Sequence, residues 1–186
     1  IGLNIEEPIG NMIIDIGGGT TDLAIFHGGK IRHTAVIPFG GEIITSDIVD
    51  AFGILPKQAE LIKVKYGHAI PEGTRSNVII TVAGIGDRKA KQIMEKNLAH
   101  VINARVKEIL NMVNDEIKMS GYKDKLNLGV VLTGGGAQLT GLPELARRIL
   151  SKQVRIGRPL GVQGLPESAK GPSFAAPIGL LIYPQV

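Results

Sequence analysis

The sequence predicts an α/β protein: a mixed sheet with flanking helices and a small inserted α+β region. Three observations carry that expectation. Short apolar strands run into glycine turns and then into segments of helical period. A Gly28-Gly29 pair separates two apolar runs, which is the signature of a two-residue hairpin. After Gly41 the apolar positions change from alternation to three- and four-residue steps.

Residues 11–39 hold three candidate strands, NMIIDI, DLAIFH and KIRHTAVIPF, broken first at Gly17, Gly18 and Gly19 and then at Gly28 and Gly29. In the middle one Leu23 and Ile25 alternate with Ala24 and Phe26, so it presents two different faces. Residues 41–52 place Ile43, Ile44, Ile48, Val49 and Phe52 at helical spacing, and Gly53 ends the run. A second helix is expected over 57–66, entered through Pro56 and stopped by Gly67. Pro71, Gly73, Gly84 and Gly86 then bracket the β-rich run NVIITVAGI, read as part of an inserted subdomain. The longest periodic helix follows, with Leu98, Ile102, Val106, Ile109, Leu110, Val113 and Ile117 on one stripe before Gly121. LGVVLT reads as a buried strand, GGGAQLTG as a turn, residues 143–150 as a helix and residues 174–183 as a last short one.

At 186 residues the chain is large enough to bury a real core. Charged residues are 20% of it, and no apolar run approaches the roughly 20 residues needed to cross a bilayer, so the expectation is a soluble globular chain. Without cysteine it can form neither disulfides nor thiolate metal sites, which fits a reducing, cytoplasmic setting. It begins at Ile1 with no basic-then-apolar leader, which suggests a piece of a longer protein. Its net charge is +4, and the only basic stretch free of acids is Arg147, Arg148, Lys152, Arg155 and Arg158, which could touch an anionic surface. Aromatics are 4% with no Trp, too few for the stacking platforms of single-strand nucleic-acid binders, so nucleic acid is not expected as a partner.

Three motifs point to a nucleotide. In DIGGGTTD, Gly17, Gly18 and Gly19 let backbone amides approach an anion closely. Asp15 at the strand end and Asp22 across the turn could face a phosphate through a hydrated Mg²⁺, and Thr20 and Thr21 bring hydroxyls to the same place. A tight hairpin alone would also want glycine; the flanking aspartates and threonines favour the phosphate reading. In TGGGAQLTGL, Gly134, Gly135, Gly136 and Gln138 follow a second buried strand, where flat backbone makes a floor for a ribose or purine, although such turns are also common punctuation. In AELIK, Glu60 and Lys63 share one helix face and suit ribose hydroxyls and an adenine edge, or form an ordinary helix ion pair.

Taken in this order, DIGGGTTD, Glu60 with Lys63, and TGGGAQLTGL resemble the second phosphate loop, adenosine pair and adenosine motif of the actin, hexokinase and seventy-kilodalton chaperone superfamily. Beyond the loops, GGKIRHTAVIPFGGEIITSDIVDAFG, AELIKVKYGHA, NARVKEILNMVNDEI and QVRIGRPL are similar to the FtsA family of bacterial cell-division proteins over essentially the whole chain. The filament protein MreB and the pilus protein PilM share the phosphate loop but not KVKYGHA or VRIGRPL.

The resemblance implies the second lobe of an actin-like (ribonuclease H-like) ATPase, with subdomain 2A at 1–56 and 120–186 and subdomain 2B inserted at 57–119. It implies ATP and Mg²⁺ as cofactors, Asp15 as the water-positioning residue and water-mediated metal contact, and adds Gly40 and Gly41 to the nucleotide set. It implies weak ATPase activity at most in the whole protein and none in this lobe alone. Partners implied are the FtsZ carboxyl-terminal tail, docking near Asn103, Arg105 and Lys107 at an exposed start of the long helix, other copies in a filament, and other divisome proteins. The place of action implied is the cytoplasmic face of the inner membrane at the division site, reached through a carboxyl-terminal helix beyond these residues. A phosphotransferase of the sugar-kinase branch, or another actin-like protein such as PilM or MreB, is the alternative.

Overall fold

A computed structural model describes residues 10–75, 77–84, 86 and 89–183. The first nine residues of the stretch assigned to subdomain 2A, and Ile85 at the end of the β-rich run, lie outside them.

Seven strands and five α-helices are formed among the described residues. The three leading runs become β1 (Asn11–Ile16), β2 (Thr21–His27) and β3 (Lys30–Ile37). They pair antiparallel, with Ile14 opposite Leu23 and Asp15 opposite Asp22, and His27 opposite Lys30 across the second turn. Gly28 and Gly29 both take positive φ, 61° and 70°, the backbone that a two-residue hairpin of native twist demands. The strand β6 (Val130–Thr133) then joins parallel to β1, with Ile14 opposite Leu132 and Asp15 opposite Thr133. The sheet order is β3-β2-β1-β6-β7, so it is mixed as expected.

The helices are α1 (Gly41–Phe52), α2 (Pro56–Tyr66), α3 (Glu95–Met119), α4 (Leu142–Leu150) and α5 (Ala175–Ile182). Met12, Ile14 and Ile16 of β1, Leu23 and Ile25 of β2, and Val130 and Leu132 of β6 share one sheet face. They form a single core with Ile44 and Ile48 of α1, the long stripe of α3 and Leu142, Leu145 and Leu150 of α4. The stripe on α3 is that expected from its period, from Leu98 to Ile117.

Two strands go beyond the sequence-based expectation. The β-rich run supplies only β4 (Ile79–Val82), and its partner is β5 (Lys91–Met94), which forms with it a separate two-stranded sheet. At the far edge, β7 (Val154–Ile156) extends the main sheet parallel to β6. Three and four residues are too few to display a period, so pairing rather than pattern defines these strands.

Candidate functional site

The main cleft opens where β1 and β6 end and α1 begins. It encloses about 760 Å³ and brings together Gly17 and Gly18, Gly41, Glu60 and Lys63, and Gly135, Gly136 and Gln138, with Val64 and Leu139 as apolar wall. All three sequence motifs therefore meet at one place.

The first loop is built by close backbone approach. Gly17 N–H donates to Thr20 O at 2.9 Å, and the first amides of α1 donate back onto the loop, Gly41 N–H to Gly17 O at 2.9 Å and Glu42 N–H to Gly18 O at 2.8 Å. A Cβ on Gly40 would lie 2.5 Å from Gly18 O, so only glycine lets helix and loop touch here. The amides of Gly18 and Gly19 have no backbone partner among the described residues. They are the donors left for an anion.

Asp15 and Asp22 stand opposite each other on the sheet face turned away from the core. Burial, followed by the neighbouring Asp22 charge, pushes the Asp15 carboxyl above its ordinary range. Two carboxylates held side by side are a natural seat for a cation, and water-mediated contact from one of them suits Mg²⁺. Among the described residues no cluster of three or more metal-ligating side chains exists.

The structure corrects the expected roles of the threonines. Thr21 is fully buried and its hydroxyl donates to Phe39 O at 2.8 Å. It shares strand parity with Leu23 and Ile25, which turns it into the core and away from any phosphate. The Thr20 hydroxyl donates to Asp22 Oδ2 at 2.9 Å, so it orients that carboxylate.

The second loop is held by the carboxyl-terminal segment. Pro172 O accepts from Gly134 N–H at 3.1 Å and from the Thr133 hydroxyl at 3.0 Å. Gly134 has φ of +85°, and a Cβ there would sit on Asp15 Oδ1 and Ile16 O. This glycine serves the packing of the loop on β1, whereas around Gly135 there is open space.

Lys63 also has a different role from the one its motif suggested. Its ammonium donates to Gly41 O at 2.8 Å and to Thr45 Oγ1 at 2.8 Å, and pairs with Glu60 at 2.6 Å. All three donors are thereby engaged, and the side chain is 13% exposed, so Lys63 ties α2 to the start of α1 and presents mainly its charge to the cleft. Burial pushes the Glu60 carboxyl up, but hydrogen bonds from Lys63 and Thr45 and the Lys63 charge outweigh it and hold it below its ordinary range. Thr45 and Glu42, the latter with a carboxylate close over Gly18, were not among the expected site residues. Thr45 stands four residues after Gly41, one helical turn on, which was the available signal for it.

The proposed docking triad does not form one exposed face. Asn103 is buried, with its amide donating to Ala69 O at 2.6 Å. Arg105 grips Asp47 of α1 with two hydrogen bonds of 2.6 and 2.9 Å, reaches Glu108 at 2.6 Å and lies over the Phe39 ring. Those bonds, Asp47 first, raise its already high pKa. Of the three, Lys107 alone is exposed. Residues two apart on a helix point to opposite sides, and all three lie beyond the first two turns of α3.

The profile of a family described as cell division protein FtsA matches residues 12–179. The chain belongs to the FtsA family. It is 43% identical to the FtsA of Rhizobium meliloti (strain 1021) over 184 residues, which is 97% of the chain and 42% of that relative. Against the FtsA of Escherichia coli (strain K12) it is 43% identical over 185 residues, 96% of the chain and 44% of the relative. The chain thus spans less than half the length of the FtsA relatives it matches. Among solved structures, MreB5 of Spiroplasma citri bound to ADP superposes with a TM-score of 0.73 at 24% identity, over 99% of this chain and 56% of that one. A PilM-PilN type IV pilus biogenesis complex gives a TM-score of 0.70 at 20% identity, over 96% of this chain and 47% of that one. Both likenesses establish the actin-like fold. Among the described residues no helix is long and apolar enough to cross a membrane.

Proposed function

We propose that this FtsA-family chain is the second lobe of an ATP-binding, filament-forming cell-division protein, and that its main cleft receives the nucleotide. The observation that carries this reading is the convergence of the two glycine loops and the Glu60–Lys63 helix face on one cavity, with the Gly18 and Gly19 amides lacking a backbone partner among the described residues and Asp15 opposite Asp22 on the strands that the first loop joins. In this reading Gly17, Gly18, Gly19 and Thr20 surround the phosphates, with Thr20 acting through Asp22. Gly40 and Gly41 hold the loop against α1. Glu60 meets the ribose, while Gly135, Gly136 and Gln138 floor the adenosine. Bound Mg²⁺ would neutralise phosphate charge, with Asp15 holding one of its waters. The ADP in the MreB5 structure supports a nucleotide in this fold.

Residues 57–119, with their separate two-stranded sheet, are assigned to subdomain 2B, and 1–56 with 120–186 to 2A. The partner proposed for 2B is the FtsZ tail, with Lys107 and the exposed fringe of Arg105 as its contacts and Asn103 as internal support. Polymerisation, contact with other divisome proteins and attachment at the cytoplasmic face of the inner membrane are proposed for the whole protein.

The test is ATP affinity of the full-length protein with and without Mg²⁺. Asp15→Asn should abolish most of the Mg²⁺-dependent gain, whereas Lys63→Ala should leave that gain in place and lower affinity through loosened loop geometry. An Asp15→Asn protein with an undiminished Mg²⁺ effect would refute the assignment.

A further inference from the structure

At the opposite end of the main sheet from the nucleotide cleft there is a second hollow of about 410 Å³. It lies where β6 and β7 begin and α4 ends. Its floor is the buried Leu126, and its walls are Asn127, Arg147, Ser151, Lys152 and Gln153. Among the described residues no acidic side chain lines it.

Two features of this hollow need a cause beyond folding. The first is charge without compensation. Among the described residues the side chains of Arg147 and Lys152 have no hydrogen-bond or ion-pair partner, and Lys152 is nevertheless half-buried. By contrast, the neighbouring Arg148 is paired with Glu144 one turn back. A helix carboxyl terminus attracts cations, which accounts for arginines in the last turn of α4. It does not account for a further, half-buried lysine held beside them without a counter-ion.

The second is backbone strain. Ser151 caps α4 at φ 52° and ψ 39° and is the sole non-glycine residue with positive φ among the described residues. Ten glycines occupy the other left-handed positions. At this one position the chain carries a residue for which the conformation is costly, and it places a hydroxyl at the rim of the hollow.

We propose that Arg147, Ser151 and Lys152, with the amides of Asn127 and Gln153, form an oxyanion site that takes a phosphate group, either free or carried on a lipid headgroup. The two cations supply the charge, with the guanidinium able to chelate two oxygens, and the hydroxyl and amides supply neutral donors around them. The hollow exceeds the volume of a single phosphate, so a substituted phosphate also fits.

The test titrates inorganic phosphate at constant ionic strength into the ¹⁵N-labelled chain while backbone amides are followed. Saturable shifts centred on Ser151, Lys152 and Gln153 are expected. Arg147→Gln and Lys152→Gln should each weaken binding about tenfold, the loss of one charge-assisted hydrogen bond. Lys96→Gln, an exposed charge on α3, should leave it unchanged. In parallel, the chain is pelleted with phosphatidylcholine vesicles with and without phosphatidic acid. Recovery that requires phosphatidic acid, Arg147 and Lys152 assigns the phosphate to a lipid, and phosphate binding without such recovery assigns it to a free ligand. Absence of both, or binding that responds equally to Lys96→Gln, overturns the site. Phosphate lodged in the nucleotide cleft would be indifferent to Arg147 and Lys152 and counts as the same failure.

Discussion

Replacing Arg105 with Ala should cost the fold about 2–3 kcal/mol. The guanidinium makes two hydrogen bonds to Asp47, and the two side chains are 21% and 23% exposed. Hydrogen bonds to charged groups are worth about 1.5–3 kcal/mol each when shielded, and partial exposure lowers the sum for this pair. The stack over Phe39 adds about 0.5–1 kcal/mol. Glu108 is half-exposed and should contribute only about 0.3–0.5 kcal/mol. For a chain of this size 1 kcal/mol corresponds to roughly 2–4 °C, so the midpoint should fall by about 5–10 °C. The assay is thermal and urea unfolding by circular dichroism, run as a double-mutant cycle with Asp47→Ala and a control Glu108→Ala. An Arg105→Ala chain within about 0.5 kcal/mol of wild type, or a coupling to Asp47 near zero, would refute the account of α3 being clamped to α1. The same geometry bears on partner mapping. Arg105→Glu would face Asp47 and Glu108, so a loss of FtsZ-tail binding in that variant would mix misfolding with lost contact, and Lys107→Glu is the cleaner probe.

Three further outcomes follow from the site and its surroundings. Because the native Asp15 carboxyl lies above its ordinary value of 3.8, the folded chain is penalised for ionising it. That penalty grows as pH rises from 3.8 through the raised value and is absent below 3.8, so Asp15→Asn should stabilise the nucleotide-free chain at neutral pH and converge with wild type in acid unfolding curves. Gly134→Ala should cost about 2 kcal/mol or more, since its φ is positive and the added methyl would collide with Asp15 and Ile16; an unchanged midpoint would show that the loop can yield. Ser151→Gly should raise stability by about 0.5–1 kcal/mol, the relief of left-handed strain less the extra freedom that glycine brings to the unfolded chain. Urea titration would read it directly.

Much of this was legible because the strongest signals are long or chemically restrictive. The α3 stripe runs from Leu98 to Ile117, about five and a half turns, and the Gly28-Gly29 hairpin admits few backbones, so both were readable from the sequence alone. KQIM and VRI were not, because strands so short are defined by the neighbour they pair with. The inward turn of Thr21 was present in its parity with Leu23 and Ile25, but the motif reading gave weight to its hydroxyl. Asn103 likewise falls on the stripe of Ala99, Val106 and Leu110, which marks it as internal. The saturation of Lys63 could not be read locally, since its acceptors, Gly41 O and Thr45, belong to another helix.

The central claim, that nucleotide phosphates lie against the Gly18 and Gly19 amides, is tested most directly by titrating Mg²⁺·ATP to millimolar concentration into the ¹⁵N-labelled chain. One lobe of the proposed two-lobed site should bind weakly, and fast-exchange amide shifts report weak binding well. The largest shifts are expected at Gly18, Gly19 and Thr20, with smaller ones at Gly135 and Gln138 and none in α5. Shifts absent from the Gly18–Gly19 turn, or centred on another surface while that turn stays silent, would contradict the account.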